Sequence, residues 1–315
     1  MVHRKLRLFS GTSNPALAEA IARELGQPLG EIQIRRFSDG EIFLQIQETI
    51  RGQDAFFVQS TSSPANDNLM ELLIFIDAAK RASARQICAV MPFFGYARQD
   101  RKSASRTPIT AKLVADMIER AGATRVLTMD LHAARIQGFF NIPVDNIFAA
   151  PLFARDIRGR FELESVVIVS PDVGGVVRAR ALAKRLHVEM AIVDKRRPAP
   201  NVAEVMNVIG DVEGKVCILV DDIVDTAGTL VGAARALIER GAARVLAYAT
   251  HGVLSGPAAE RLRDAALSEL VITDTIPTPE AVKATGKLRT ITVAPLLAEA
   301  IRRIYDARSI SSLYE

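Results

Sequence analysis

Short apolar runs alternate with helix-length patterns along this whole chain, and that rhythm leaves few folds open to it. Runs at residues 6–9, 55–59, 87–91, 126–129, 166–169, 190–193, 216–220, 245–248 and 269–272 are compact blocks rich in Val, Ile, Leu and Phe. Blocks this short with little polar alternation predict strands buried on both faces, as in parallel sheets. Between them, amphipathic spacing predicts helices at 15–25, 67–82, 109–120, 176–186, 230–240 and 256–266. Asn66-Asp67-Asn68 stands where a helix N-cap belongs, and Gly122 and Gly241 where C-caps belong. The alternation predicts an α/β protein with parallel sheets and helices on both faces, which binds ligands at the carboxyl ends of its strands.

With 315 residues, 49% of them hydrophobic, the chain can build two cores of ordinary size. A net charge of +4 suits small anionic substrates and is too mild for a nucleic-acid footprint. Cys88 and Cys217 each sit in an apolar run without a C-x-x-C pair, as reduced core residues do. The N-terminus lacks a secretory apolar region, and no apolar run reaches the roughly 18 residues a bilayer needs, so a cytoplasmic protein is expected. The halves are loosely alike. Met129-Asp130 parallels Val220-Asp221, and Ala121-Gly122-Ala123 parallels Arg240-Gly241-Ala242, which suggests a duplicated domain with a boundary near Ala149-Ala150-Pro151.

One strand end is more informative than the others. Val216-Cys217-Ile218-Leu219 leads into Val220-Asp221-Asp222-Ile223-Val224-Asp225-Thr226-Ala227-Gly228-Thr229, and an amphipathic helix follows, ending at Gly241. Strand, acidic pair, small-residue loop and helix suit a phosphorylated sugar. Asp221 and Asp222 can accept hydrogen bonds from vicinal ribose hydroxyls. The loop from Asp225 to Thr229 can offer backbone N–H groups and two threonine hydroxyls to a phosphate at a helix N-terminus. Gly228 permits close approach of the backbone because it has no Cβ. This segment resembles the ribose-phosphate loop of the phosphoribosyltransferase fold group.

Four further segments fall at strand ends. Arg98-Gln99-Asp100-Arg101-Lys102 follows the turn Pro92-Phe93-Phe94-Gly95-Tyr96; its cations suit a polyphosphate, or simply form a solvated basic loop, and its aromatic rings pack a base or fill an interface. Arg36-Phe37-Ser38-Asp39-Gly40-Glu41 offers a ring to stack on a purine and carboxylates for its amine, yet Asp39-Gly40 is equally a hairpin signal. Asp130-Leu131-His132 and Ser170-Pro171-Asp172-Val173-Gly174-Gly175 offer His132 and Asp172 as ligands for Mg²⁺; a lone strand-end histidine is more often structural, and the glycine pair can instead bind an anion. Asp194-Lys195-Arg196-Arg197-Pro198-Ala199-Pro200-Asn201 reads as a mobile cationic loop over a transferring phosphoryl group, or as a basic surface turn.

In combination, RFSDGE at 36–41, NDNLME at 66–71, GYARQDRK at 95–102, DLHA at 130–133, IQGFF at 136–140, SPDVGG at 170–175, DKRRP at 194–198, VDDIVDTAGT at 220–229 and THGVLSGP at 250–257 are highly specific. Over essentially the whole chain they resemble the ribose-phosphate pyrophosphokinase family, the phosphoribosyl-pyrophosphate synthetases, of the phosphate-activated class I type. The resemblance implies two tandem phosphoribosyltransferase-like domains, each a mostly parallel sheet flanked by helices. Residues 1–149 would contact ATP and 150–305 would bind ribose 5-phosphate, with the tail 306–315 packing back on the first domain. It implies transfer of the diphosphoryl group of ATP to the anomeric hydroxyl of ribose 5-phosphate, giving phosphoribosyl pyrophosphate and AMP for nucleotide, histidine and tryptophan biosynthesis. By the family pattern, Phe37, Asp39, Gly40, Glu41, Arg98, Gln99 and Arg101 would hold ATP. His132 and Asp172 would be magnesium positions, and Lys195 with Arg197 would be catalytic. Ribose 5-phosphate would lie on Arg197, Asp221, Asp222, Asp225, Thr226, Ala227, Gly228 and Thr229. The family also implies a homo-hexamer, activated by phosphate and inhibited by ADP at a site between subunits, with Ser83, Arg85, Arg106, Ser309 and Ser311 as candidate regulatory positions.

Two other classes share part of this pattern. A phosphoribosyltransferase has the 221–229 loop but does not need residues 98–102 or a first domain. A non-catalytic homologue that joins the enzyme's assembly keeps the fold and loses active residues, whereas Lys195, Arg197, His132, Asp172 and Asp225 are all present here.

Overall fold

The computed structural model describes residues 4–196 and 205–313, which fall into two compact units. The first comprises Met1–Phe148, Thr275–Pro277 and Thr292–Glu315. It runs β1 (Leu6–Ser10), α1 (Pro15–Leu25), β2 (Ile32–Arg36), β3 (Ile42–Ile46), β4 (Asp54–Val58), α2 (Ala65–Arg81), β5 (Gln86–Met91), α3 (Thr110–Ala121), β6 (Arg125–Met129) and β7 (Val144–Ile147). The parallel sheet has the order β1-β4-β5-β6-β7. All of β4 and all of β5 after its first residue are buried, which is why these strands read as unbroken apolar runs. Phe57 of β4 stacks on Phe75 of α2 with ring centroids 4.0 Å apart, at the heart of this core.

Local chemistry sets the helix ends. The Asn14 side chain accepts from the Leu17 N–H, Pro15 opens α1, and Gly26 closes it at φ 69°. The N-cap expected at Asn66-Asp67-Asn68 is displaced. Pro64 precedes α2, the three residues lie within its first turns, and Asn68 donates instead to the Ser62 carbonyl at 2.9 Å. β2 and β3 form an antiparallel hairpin around Asp39-Gly40, with Gly40 at φ 94°. Ile32, Ile34, Leu44 and Ile46 pack on the core; alternation along the strands puts Arg35 and Phe43 on the other face.

The second unit comprises Ala149–Asp274 and Thr278–Ile291. It runs α4 (Ala150–Arg158), β8 (Val166–Ser170), α5 (Val176–Leu186), β9 (Glu189–Arg196), β10 (Val205–Ile209), β11 (Val216–Val224), α6 (Gly228–Glu239), β12 (Arg244–Gly252), α7 (Ala258–Arg263), β13 (Glu269–Thr273), α8 (Glu280–Lys283) and β14 (Leu288–Ile291). The sheet order is β10-β9-β8-β11-β12-β13-β14, parallel throughout except for the β9–β10 pair. From β8 the chain first steps outward to β9 and β10, then returns to place β11 on the other side of β8. The direction of winding therefore reverses between β8 and β11, which makes this edge a topological switch point.

The apolar runs mapped onto strands, and several elements went unforeseen. β7, β10 and β14 are outer strands or neighbours of one, carrying polar residues that break the apolar signature. Helix α9 (Ala294–Tyr305) was missed, and it belongs to the first unit, unlike the expected division at 150–305. Its Leu297, Ala298, Ile301 and Ile304 are buried, and Arg302 donates to the Glu24 carbonyl at the end of α1 at 3.0 Å. Cys88 and Cys217 are free and buried. No helix among the described residues is long and apolar enough to cross a membrane.

Candidate active site

The switch point of the second unit gathers the residues of the acidic strand end and the small-residue loop. After β8, the chain turns tightly: the Ser170 hydroxyl donates to the Asp172 carbonyl at 2.6 Å, and the Asp172 Oδ1 accepts from the Gly175 N–H at 2.9 Å. A Cβ at residue 175 would come within 2.9 Å of the Ser170 hydroxyl, so the turn requires glycine there. On the other side of the switch point, β11 runs four residues past the expected end at Val220, and Asp221 and Asp222 lie within it, with Asp221 opposite Ala249 of β12. The acidic pair is therefore part of the sheet and not of a loop.

Arg178, in the first turn of α5, bridges the switch point. Its Nη1 lies 3.4 Å from the Asp221 Oδ1 and 3.2 Å from the Asp222 Oδ1, and the Asp222 N–H donates to the Asp221 Oδ1 at 2.9 Å. Asp222 is only 3% exposed, whereas Asp221 is half-buried. Burial, reinforced by the hydrogen bond and charge of Asp222, pushes the Asp221 carboxyl up to about 7; the Arg178 guanidinium only partly opposes this. One guanidinium thus faces two carboxylates. Linear sequence carried no signal for Arg178, because it contacts residues 43 positions away.

The small-residue loop follows directly. The Ser255 hydroxyl donates to the Asp225 carboxylate, and the Thr226 carbonyl accepts from the Arg261 Nη1 at 3.0 Å. Ala227 adopts a left-handed conformation at φ 60°, and α6 opens at Gly228. Thr226 and Gly228 are exposed, Thr229 is half-buried, and Ala227 is buried. The first N–H groups of such a helix have no intrahelical acceptor, and a helix N-terminus favours an anion.

Lys195 reaches the same edge of the sheet. β9 pairs with β8 only as far as Ser170 opposite Ile192, and then continues against β10, with Lys195 opposite Met206. Asp194, Lys195 and Arg196 are thus strand residues, where a loop was expected; Arg197 lies outside the described residues.

In the first unit, the predicted nucleotide residues fall on two segments. Phe37 is 44% exposed at the tip of the hairpin, with the Arg35 guanidinium 4.9 Å from its ring centroid, and Asp39, Gly40 and Glu41 are exposed beside it. The Asp39 Oδ1 accepts from the Glu41 N–H at 3.1 Å, so the hairpin reading of Asp39-Gly40 holds together with an open ring. Arg36 ties the hairpin to the start of α2 through Asp67 at 3.1 Å. Arg98, Gln99 and Arg101 are exposed after β5, where Gln99 accepts from the Thr110 hydroxyl at 2.5 Å at the start of α3. Asp100 is buried and paired to Arg135 at 2.6 Å, which anchors the basic segment. Phe94 is a core residue packed edge-on against Phe140, so it is not a platform for a base. The NDNLME motif is partly internal: Asn68 and Glu71 are buried and hydrogen-bonded, while Asn66 and Met70 are exposed.

His132 is exposed in the turn after β6, in the first unit, and Asp172 lies in the second. Among the described residues no group of three or more His, Cys, Asp or Glu side chains converges on a metal position. Asp172 has one oxygen engaged by Gly175 and a second available to a hard cation. That donor set suits a magnesium ion carried mainly by phosphate oxygens and water, not one caged by protein. Of the candidate regulatory positions, Arg85 joins Arg4 on the buried Asp54, Ser83 and Arg106 adopt positive φ, and the Ser309 and Ser311 hydroxyls are 2.7 Å apart.

Comparison with known proteins gives a consistent result. The family model for the N-terminal domain of ribose phosphate pyrophosphokinase matches residues 6–122, and that for the phosphoribosyl synthetase-associated domain matches residues 194–315. The ribose-phosphate pyrophosphokinase of Bradyrhizobium diazoefficiens is 60% identical over 310 residues, spanning 98% of this chain and 98% of that protein. The protein of the same name from Maricaulis maris is 61% identical, spanning 98% of this chain and all of its own length at 100%. The crystal structure of phosphoribosylpyrophosphate synthetase from Mycobacterium smegmatis superposes with a TM-score of 0.91 at 44% identity, covering 96% of this chain and 99% of that one.

Proposed function

The chain belongs to the ribose-phosphate pyrophosphokinase family, and from that premise we propose that it transfers the diphosphoryl group of ATP to the anomeric hydroxyl of ribose 5-phosphate and releases AMP. The observation that carries the assignment of roles is the switch point, where an acidic strand end, a left-handed small-residue loop and a helix N-terminus adjoin. The anomeric oxygen attacks the β-phosphorus, the bond from that phosphorus to the oxygen shared with the α-phosphate breaks, and the hydroxyl proton passes to solvent or a nearby carboxylate. Such transfer needs positioning and charge neutralisation more than covalent help.

Ionised Asp221 accepts from ribose hydroxyls, while buried Asp222 and Arg178 orient it. Residues 225–229 hold the 5-phosphate through backbone N–H groups and the hydroxyls of Thr226 and Thr229, under the favourable field of α6. Phe37 stacks on the adenine; Asp39, Gly40, Glu41, Arg98, Gln99 and Arg101 hold the rest of ATP. Lys195 and Arg197 neutralise charge on the transferring group. His132 and Asp172 would hold magnesium, and the ion when bound would draw charge from the phosphate oxygens. The enzyme works in the cytoplasm as a homo-hexamer, with phosphate as activator and ADP as inhibitor at a site between subunits.

A single assay tests this: AMP release from ATP that requires ribose 5-phosphate. AMP release without that dependence, or its absence, overturns the proposal. Consumption of phosphoribosyl pyrophosphate with a free base would favour a phosphoribosyltransferase instead.

A further inference from the structure

The segment from β12 into α7 touches three consecutive residues at the start of the sugar-phosphate loop. The Leu254 N–H donates to the Val224 carbonyl at 3.0 Å, the Ser255 hydroxyl donates to the Asp225 carboxylate, and the Arg261 Nη1 donates to the Thr226 carbonyl at 3.0 Å. The last contact has the largest consequence. In a planar trans peptide the carbonyl oxygen and the following N–H point in opposite directions. Fixing the Thr226 oxygen on the Arg261 side therefore aims the Ala227 N–H away from it. Ala227 itself sits at φ 60°, a left-handed conformation that costs an L-residue free energy. An unheld peptide at this position is free to rotate and relieve that cost, and the N–H would then turn from its ligand.

Gly228 bears the same imprint. Its φ lies outside the left-handed range, so backbone strain does not demand glycine there. A Cβ at residue 228 would instead meet the Arg261 Nη1 at 2.9 Å. The glycine leaves room for the guanidinium. Arg261 is exposed at the surface of α7, so its charge stands over the loop as well as its hydrogen bond.

We propose that Arg261 is a positioning residue for the sugar-phosphate loop, acting through the Thr226 carbonyl, and that Gly228 exists to admit it. This rests on residues 225–229 holding the 5-phosphate. A hydrogen bond from a charged group is strong enough for its loss to weaken ribose 5-phosphate binding roughly ten- to hundredfold.

Steady-state kinetics on Arg261→Gln, Arg261→Lys, Gly228→Ala and the double variant Arg261→Gln/Gly228→Ala test it, with melting temperatures recorded in parallel. Arg261→Gln is expected to raise KM for ribose 5-phosphate about tenfold or more, with KM for ATP within about twofold of wild type and turnover changed far less. Arg261→Lys recovers part of the loss. Gly228→Ala alone raises the same KM, and adds little once Arg261 is already gone, because both act on one contact. An unchanged KM for ribose 5-phosphate in folded Arg261→Gln overturns the proposal, as does an equal rise in both KM values, or full additivity in the double variant. If Arg261→Gln does not fold, Arg261→Lys and Gly228→Ala provide the same readout. Wild-type protein that fails to release AMP in response to ribose 5-phosphate sinks the functional assignment and this inference together. Wild-type activity with an indifferent Arg261→Gln sinks only this inference.

Discussion

The ends of β1 and β4 in the first unit and the switch point of the second treat their polar residues in opposite ways. In the first unit, Glu71 is 1% exposed and accepts from the Thr12 N–H at 2.7 Å, the Thr12 hydroxyl at 2.7 Å and the Gln59 amide at 2.9 Å. Gln59 in turn accepts from the Ser13 N–H at 3.1 Å. The stretch of this edge after β1 and β4 is closed: its donors and acceptors meet inside the protein, whereas Arg98, Arg101 and His132 after β5 and β6 are exposed. The sheet winds from β4 to β7 in one direction. In the second unit the winding reverses, and at the reversal two carboxylates share one guanidinium. Polar groups satisfied internally mark scaffolding, while a half-buried carboxyl with a raised pKa at a switch point marks a binding site. The same unit holds its own control. Asp156 and Glu269 meet Arg160, Arg289 and the Tyr248 hydroxyl in a cluster with as many guanidiniums as carboxylates. Burial would raise Asp156, but hydrogen bonds from Arg289 and Tyr248 hold its carboxyl below the usual range. That network ties α4 to β12, β13 and β14.

The contrast can be broken by mutation. Lys195→Ala should cut turnover by roughly 10³-fold with KM for ATP nearly unchanged, by analogy with cationic fingers; a loss under tenfold removes Lys195 from the mechanism. Glu71→Ala, on the closed edge, should cost about 3 kcal/mol of stability by denaturant titration, because it orphans buried donors, and it should leave both KM values alone. Asp225→Ala, on the open edge, should do the reverse. KM for ribose 5-phosphate rises about tenfold or more while the melting temperature barely moves; a stability loss like that of Glu71→Ala would erase the distinction drawn between the edges.

Asp221 makes a pH-dependent form of the comparison. Its folded value of about 7 lies above the ordinary carboxyl value of 3.8, so between those limits the native state holds more protons than the unfolded state. Stability from this group is present at low pH and lost as pH rises through 7. Asp221→Asn should therefore melt higher than wild type at pH 8, with the gap shrinking toward pH 5, and a gap indifferent to pH would refute the assignment. In the wild type, KM for ribose 5-phosphate should rise as pH falls below 7. The smallest effect is expected from Phe37→Ala. Losing one exposed ring should raise KM for ATP about fivefold, on the order of 1 kcal/mol, and leave KM for ribose 5-phosphate unaffected.

Much of this was readable along the chain, and the misses share a cause. β4, β5, β8 and the body of β11 are buried on both faces, so unbroken apolar runs announced them. The hairpin was announced by Asp39-Gly40. What failed were the limits of elements whose ends are decided by a neighbour. β11 continues through two aspartates because β12 pairs with it up to Gly252, and β9 carries Lys195 because β10 lies against it. Helix α9 escaped notice although Pro295 in its first turn and the spacing of Leu297, Ala298, Ile301 and Ile304 mark it locally; its membership of the first unit shows only in tertiary structure, where Arg302 meets the end of α1.

Periodicity and local turn chemistry thus determined the α/β class, the buried strands with most of the helices between them, and the loop from Asp225 to Thr229, because each is set by residues a few positions apart. Tertiary structure alone decided that winding reverses between β8 and β11, that Arg178 faces Asp221 and Asp222, and that Arg261 grips Thr226. Those pairs stand 43 and 35 positions apart, and which distant side chains meet depends on how the sheet is ordered, a property no local pattern encodes.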